Sequence, residues 1–470
     1  MPVLHFTSRI SLALVVAAGL LGACKTEESA APTPDPGITN TIPTPPQYGT
    51  PFAGVPDRQD AVMYQVNMRA FSQGGNFAGV TARLDSIKDL GVNVLYLMPI
   101  YPIGTDSKSV NSPYAVKDYR SVNLEFGSLT DLRTLVDAAH ARGMAVMLDW
   151  VANHTSWDNA WITQHPEWYQ KNASGAITPV SNNGTTYNDV AQLNFTNATL
   201  RVEMISAMKS WVYSANVDGF RCDYADFQPN YFWQQAVDTL RAIKTHKLLL
   251  LAEGTRAANF TSGFDYNFGF NFYGGIYQVY KNGAPATTLD ALNTSEYAGA
   301  TGTQQVVRYI TNHDVNGSDG TPVTLFGGKA GAMSAFVITA LYKGTPMVYN
   351  GQEAGMSQAI PFPFTSVKVA WGTNPDVKRA YKQLLAVRAG SAALRVGVPT
   401  AYSTATVCAF TKTAGAEQAF VLANVRNTAT TYSVPAALAN TTWTNALQGG
   451  SVTVGTQISL PAYGYLVLKK

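Results

Sequence analysis

Residues 129–150 read LTDLRTLVDAAHARGMAVMLDW. Leu129–Arg142 carries its apolar residues at helical spacing, and Gly143 closes the helix. Met144–Trp150 then runs almost without a polar residue until it ends on an acid, Asp149. A continuous apolar run of this length reads as a strand buried on both faces, which is the signature of a parallel sheet.

The same unit recurs on either side. Upstream, Ala61–Met68 reads as a strand, Val80–Leu90 as a helix and Val92–Met98 as a second strand. Downstream come a helix over Leu200–Ala215, a strand over Val217–Asp223, a helix over Tyr231–Lys244 and a strand over Leu248–Glu253. Phe264–Asn267, Val306–Asn312 and Thr345–Asn350 complete eight strands, and a last helix lies near Val377–Ala389. Eight strand–helix units in one chain predict an α/β protein built on a closed (β/α)₈ TIM barrel rather than an open sheet. One connection is too long to be a simple turn. Residues 155–194, after the third strand, predict a small inserted domain on the barrel rim. Past residue 392 the helical pattern gives way to alternating β-branched and small polar residues, which predict a C-terminal antiparallel β-sandwich over 393–470.

The N-terminal end reads differently. Ile10–Leu21 is a 12-residue apolar run, too short to span a bilayer as a helix, which takes roughly 20 residues. It ends in Leu21-Gly22-Ala23-Cys24, which resembles a bacterial lipoprotein cleavage site. Residues 1–23 are therefore expected to be a signal peptide and Cys24 the lipid-carrying new N-terminus. Eight prolines between Lys25 and Pro56 predict an extended tether over 24–56 that holds the folded part, 57–392 and beyond, away from the membrane. This places the protein outside the cytoplasm, lipid-anchored to a bacterial membrane, with the outer cell surface as one option.

Composition excludes other classes. Charged residues make up 13% of the chain, about half the usual 25%. The formal charge is +3 and no basic block exists, so a nucleic-acid partner is not expected. Cys222 and Cys408 read as buried free thiols.

In a barrel of this kind the site forms at the C-terminal ends of the strands. There stand Asp149, then Asn153-His154; Arg221 and Asp223; Glu253; and His313-Asp314. Each acid alone could cap the following helix, but four together in a chain with few charges point to one pocket mouth. In Gly219-Phe220-Arg221-Cys222-Asp223, alternate residues share a face, so Arg221 and Asp223 point together. A guanidinium beside a carboxylate favours its ionised form, which suits a nucleophile. Glu253 follows four leucines and an alanine, where desolvation favours the protonated form. Two carboxyls in opposite protonation states are what retaining glycoside hydrolysis requires.

These segments, taken in order, resemble the motifs of the α-amylase family (glycoside hydrolase family 13). They are Asp149-Trp150-Val151-Ala152-Asn153-His154, Gly219-Phe220-Arg221-Cys222-Asp223, Ala252-Glu253 and Asn312-His313-Asp314. Val190-Ala191-Gln192-Leu193-Asn194, Ser112-Pro113-Tyr114 and Gly351-Gln352-Glu353 resemble its flanking motifs. The resemblance implies that Asp223 is the nucleophile, Glu253 the general acid and base, and Asp314 a third carboxylate that binds sugar hydroxyls. It implies that Arg221, His154 and His313 orient the nucleophile and the sugar, that Tyr114 stacks on the sugar, and that Asp149 organises the site. It also implies a calcium ion with Asn153 as a ligand and no organic cofactor; Asp189, whose position does not match a family motif, is a candidate partner for the ion. Where the family often carries a Lys-His pair, this chain has Asp226 and Phe227, so the leaving-group side is expected to differ.

The expected substrate is an α-glucan or malto-oligosaccharide, cut at internal α-1,4 bonds through a covalent intermediate. A neopullulanase-like, maltogenic or transglycosylating specificity stays open, because water and an acceptor sugar compete for the same intermediate. A third option is a surface glycan-binding lipoprotein without activity. The crowded aromatics of the insertion, Trp157, Trp161, Trp168, Tyr169 and Tyr187, are read mainly as its small core.

Overall fold

The computed structural model describes residues 42–182 and 184–470. Cys24, the signal segment 1–23 and the tether up to residue 41 lie outside the described residues. Eight parallel strands close into a barrel: Met63–Val66, Val94–Leu97, Ala145–Trp150, Gly219–Cys222, Leu249–Ala252, Tyr266–Phe268, Gln305–Arg308 and Thr345–Tyr349. Closure comes from the first strand, which pairs with both the second and the eighth. Nearly every strand residue is buried, as the continuous apolar runs predict.

Local chemistry accounts for the units. The helix Leu129–His140 starts at a capping box in which Ser128 and Asp131 satisfy each other's backbone N–H groups. It buries Leu132, Leu135, Val136 and Ala139, and Gly143, at φ 69°, turns the chain into the third strand. In the fourth strand only glycine fits at residue 219, because a Cβ there would stand 1.9 Å from the Leu249 carbonyl oxygen of the next strand. The helix expected over Val80–Leu90 is instead two short ones, Phe77–Thr81 and Leu84–Lys88, broken just past the β-branched pair Val80-Thr81. Helices Phe270–Lys281, Thr288–Ser295 and Gly328–Leu341 carry no expectation from the sequence.

Between the third and fourth barrel strands, His154–Thr155, Pro179–Asn182 and Thr185–Gln192 form a three-stranded antiparallel sheet. Trp168 and Tyr169 are buried inside this insertion, and Trp161 stacks on Tyr119. The C-terminal part is a six-stranded antiparallel sheet facing a two-stranded one, Thr430–Ser433 with Gln457–Leu460. Val407, Ala409, Phe420 and Leu422 point toward the small sheet. Cys408, Phe410 and Val421 point the other way into the main core, where Phe410 stacks on Tyr342 at 4.2 Å. Cys222 and Cys408 are free and buried.

One expectation needs correction. The stretch read as tether is not free from Ile42 onward. Tyr48 donates its N–H to Tyr213 O at 2.8 Å and its hydroxyl to Asp137 at 2.6 Å, and Phe52 stacks on His140 at 4.4 Å. The proline count hid two aromatic rings, and each found a partner on the helices Leu129–His140 and Ala198–Ala215. Among the described residues no helix is long and apolar enough to cross a membrane.

Candidate active site

The floor of the site is one guanidinium shared by three carboxyls. Arg221, in the fourth strand, is completely buried. Its Nη1 donates to Asp149 Oδ1 and to Asp223 Oδ1, each at 2.8 Å, and its Nη2 pairs with Glu253. The alternation of a strand puts Arg221 and Asp223 on one face, while Phe220 packs edge-on against Trp150 on the other. The three acids differ in access. The Asp149 side chain is 0% exposed, those of Asp223 and Glu253 are each 12% exposed. Only the latter two can meet a ligand.

Asp149 is saturated by its surroundings. Besides Arg221 it accepts from the Tyr96 hydroxyl at 2.7 Å and the Tyr114 hydroxyl at 3.1 Å. Glu253 follows the fifth strand and accepts the Tyr224 N–H at 2.7 Å. Tyr224 can aim that N–H because its backbone is left-handed, at φ 53°, a conformation a non-glycine residue adopts only where its neighbours enforce it.

Electrostatics alter one expectation. Burial, then the Glu253 charge, push the Asp223 carboxyl well above the usual carboxylate range, and Arg221 pulls it back only in part. Burial likewise raises Asp149 above the usual carboxylate range, against the pull of Arg221. The pairing of Arg221 with Asp223 alone is thus too simple, because Asp149 and Glu253 compete for the same cation.

His313 and Asp314 begin a short helix after the seventh strand, capped by Asn312. His313 Nδ1 meets Gln65 Nε2 at 2.7 Å and its Nε2 meets the Tyr114 hydroxyl at 2.6 Å. Burial and the Arg221 charge lower its pKa to about 4, so the ring is neutral and donates through one nitrogen while accepting through the other. The Tyr114 ring lies against His313 at 5.4 Å and 21°. Asp314 is 44% exposed and accepts from Asn312 Nδ2 at 3.2 Å. His154, lowered to about 4 by burial, contacts the Tyr114 carbonyl at 3.2 Å and Asn153 at 3.3 Å. The structure thus brings Tyr114, Asp149, Arg221, Asp223, Glu253, His313 and Asp314 to one mouth, with His154 at its edge.

Asn153 lies beneath this group. Its Oδ1 accepts from Gln192 Nε2 at 3.1 Å and from Gln228 Nε2 at 2.9 Å. Asp189 is half-buried on the inserted strand Thr185–Gln192, and no hydrogen bond joins it to Asn153 among the described residues. The departure at Asp226 and Phe227 is also visible. Asp226 turns away to accept from Thr255 N, Asn259 Nδ2 and Arg256 Nε. Phe227 is 47% exposed and stacks on Tyr224 at 3.7 Å.

Sequence reading misses Gln65, Tyr96 and Tyr224. Gln65 has a signal, an amide in the middle of an apolar strand. Tyr96 and Tyr224 have none, since tyrosine is ordinary in a buried strand or beside an acid.

Comparison with known proteins fits this geometry. The chain is 26% identical over 309 residues to Alpha-amylase MalA of Haloarcula japonica, covering 63% of this chain and 44% of that protein. The chain therefore spans under half the length of that relative. It is 25% identical over 427 residues to a cyclomaltodextrinase of Geobacillus thermopakistaniensis, covering 84% of this chain and 70% of the relative. The crystal structure of an alpha-amylase from Lactobacillus plantarum superposes with a TM-score of 0.78 at 29% identity, covering 88% of this chain and 99% of the other. The profile of the family described as "Alpha amylase, catalytic domain" matches residues 47–175 and 184–395. On that match, which takes in every barrel strand, the chain belongs to the α-amylase family of glycoside hydrolases and transferases.

Proposed function

We propose that the protein is a retaining glycoside hydrolase that cuts internal α-1,4 bonds of starch-like α-glucans. The observation that carries the reading is the attachment of Asp223 and Glu253 to one buried guanidinium, with both side chains open to the cleft and Asp149 sealed below. Two carboxyls on one fork lie close together, and retention uses a separation of roughly 5 Å where inversion needs 6.5–9.5 Å. Asp223 attacks the anomeric carbon, and Glu253 protonates the leaving oxygen and later takes the proton of the incoming water. Asp314, exposed at the mouth, binds sugar hydroxyls, and Tyr114 offers its ring face to the pyranose.

A second reading is a maltogenic, cyclomaltodextrin-cleaving or transglycosylating specificity. The cyclomaltodextrinase among the relatives and the exposed Phe227 ring both favour it. A product time course on soluble starch, pullulan and cyclodextrin tests the two. Short maltodextrins released from inside starch, with cyclodextrin left intact, support the first; preferential attack on cyclodextrin, or long transfer products with little reducing sugar, sinks it.

We also propose export and lipid anchoring through Cys24, placing the enzyme on a bacterial membrane facing its glucan. The Leu21–Cys24 motif supports this. Replacement C24S should move the protein from the membrane to the soluble fraction; unchanged fractionation overturns it.

A further inference from the structure

The family resemblance implies a divalent cation at Asn153, and a cation of the calcium class takes six to eight oxygen ligands. Converging oxygens are present: the main-chain and side-chain oxygens of Asn153 and the main-chain oxygen of Leu193. One nitrogen, with two N–H groups to share among them, lies within hydrogen-bond distance of all three. Gln192 Nε2 lies 3.1 Å from Asn153 O, 3.1 Å from Asn153 Oδ1 and 3.2 Å from Leu193 O. A second amide, Gln228 Nε2, donates to the same Oδ1 at 2.9 Å, and the Leu193 N–H donates to Asn153 O at 3.1 Å. Asn153 and Gln228 are each 1% exposed, and Gln192 is partly buried above them.

Its charge is also wrong for a cation. No carboxylate takes part, and among the described residues no cluster of three or more His, Cys, Asp or Glu side chains could hold a metal. The neighbouring charges are spent on each other: Arg256 Nε pairs with Asp226 Oδ1 at 3.2 Å while its Nη2 donates to the main-chain oxygens of Ala225 at 2.9 Å and Gln228 at 3.1 Å. A dication here would meet neutral oxygens already bonded to N–H groups, with no carboxylate among them to offset its lost hydration.

We infer that the side-chain amide of Gln192, backed by Gln228, replaces the divalent cation as the clamp that holds the inserted segment to the end of the third barrel strand. Gln192 ends the inserted strand Thr185–Gln192 and pairs with His154 at the start of the insertion. One amide thus closes the loop on itself at its base. A cation holds such a junction by charge; this chain holds it by directional hydrogen bonds that neither a chelator nor added calcium can affect. The inference is independent of which glycosidic bond is cut.

The test is the thermal unfolding midpoint of the full chain, measured in excess chelator and in millimolar calcium. The midpoints are expected to coincide; a rise of several degrees with calcium overturns the inference. Two variants locate the clamp. Gln192→Met keeps the length and removes the donor, and should unfold several degrees earlier in both media; a midpoint equal to that of the unsubstituted protein overturns the assignment. Gln192→Glu puts a carboxylate against three carbonyl oxygens, and should be destabilised in chelator and regain stability with calcium. A Gln192→Glu protein as stable in chelator as the parent also overturns it. If either variant fails to fold, the comparison of chelator with calcium on the parent chain still decides.

Discussion

Arg221 Nη1 lies 2.8 Å from Asp223 Oδ1, inside a site where the arginine itself is wholly buried. The same nitrogen also serves Asp149 and the other fork nitrogen serves Glu253, so this residue sets the charge of the whole floor. Lysine cannot reproduce the fork. Arg221→Lys is expected to lower kcat by roughly a thousandfold. Arg221→Ala should also lose about 3–5 kcal/mol of stability, because it leaves desolvated acids without a counter-charge. Denaturant unfolding and steady-state kinetics on soluble starch check both.

The amide replacements of the two open acids should separate chemistry from stability. Asp223→Asn and Glu253→Gln should each lower kcat by at least about 10⁴-fold. Their stabilities should diverge. Burial and the Glu253 charge disfavour ionised Asp223, and an asparagine still accepts from Arg221, so Asp223→Asn should unfold no earlier than the parent. Glu253 receives two donors, Arg221 Nη2 and the Tyr224 N–H, on different oxygens. A glutamine has only one acceptor for them, so Glu253→Gln should unfold earlier. Equal midpoints for both variants contradict the shared-fork arrangement.

The pH dependence of stability should have two flanks of opposite origin. His154 and His313 fall from 6.5 to about 4 on folding. Between those values the unfolded chain binds protons that the folded one does not, so their contribution is complete above about pH 6.5 and is lost as pH falls through 4. Glu353, buried beside the Tyr64 hydroxyl, rises from 4.5 to about 7, chiefly through desolvation. Its contribution is complete below 4.5 and is lost as pH rises through 7. Glu353→Gln should therefore gain stability relative to the parent between pH 5 and pH 8, by on the order of 3 kcal/mol. A difference independent of pH assigns the titration elsewhere.

How much of this could be read from the chain depends on sequence distance and on charge. The barrel was legible because a strand buried on both faces, such as Leu249–Ala252, leaves a run of leucines. The strand-end acids stood out against few other charges. The helix Gly328–Leu341 was not legible, because it is buried on nearly every side and so carries no stripe. The supporting shell was hidden for another reason. Gln65 meets His313 across 248 residues and Gln228 meets Asn153 across 75, and neutral amides leave no charge pattern to find.

Tyr114 joins two functions that substitution can part. Its hydroxyl links His313 Nε2 to Asp149 Oδ2, while its ring lies over His313. Tyr114→Phe keeps the ring and drops both bonds, and should lower kcat by roughly tenfold with little change in KM. Tyr114→Ala removes the stacking face as well and should also raise KM for malto-oligosaccharides. If the two variants have the same KM, the ring does not touch the sugar.

The fate of a glycosyl intermediate depends on what surface flanks Glu253. In the proposed role of general acid Glu253 faces the departing sugar, and its partner Tyr224 carries the Phe227 ring stacked on it at 3.7 Å, 47% exposed. A half-exposed aromatic beside the acid is where a leaving or an accepting sugar can rest its apolar face, and such a contact contributes about 0.5–1.5 kcal/mol. Water gains nothing from that surface, whereas an acceptor sugar does. Phe227→Ala should therefore lower the ratio of transfer to hydrolysis by roughly threefold to tenfold at high maltose concentration. It should leave the unfolding midpoint nearly unchanged, because the ring is exposed. Chromatography of the products reads the ratio directly, and an unaltered ratio removes Phe227 from the acceptor side.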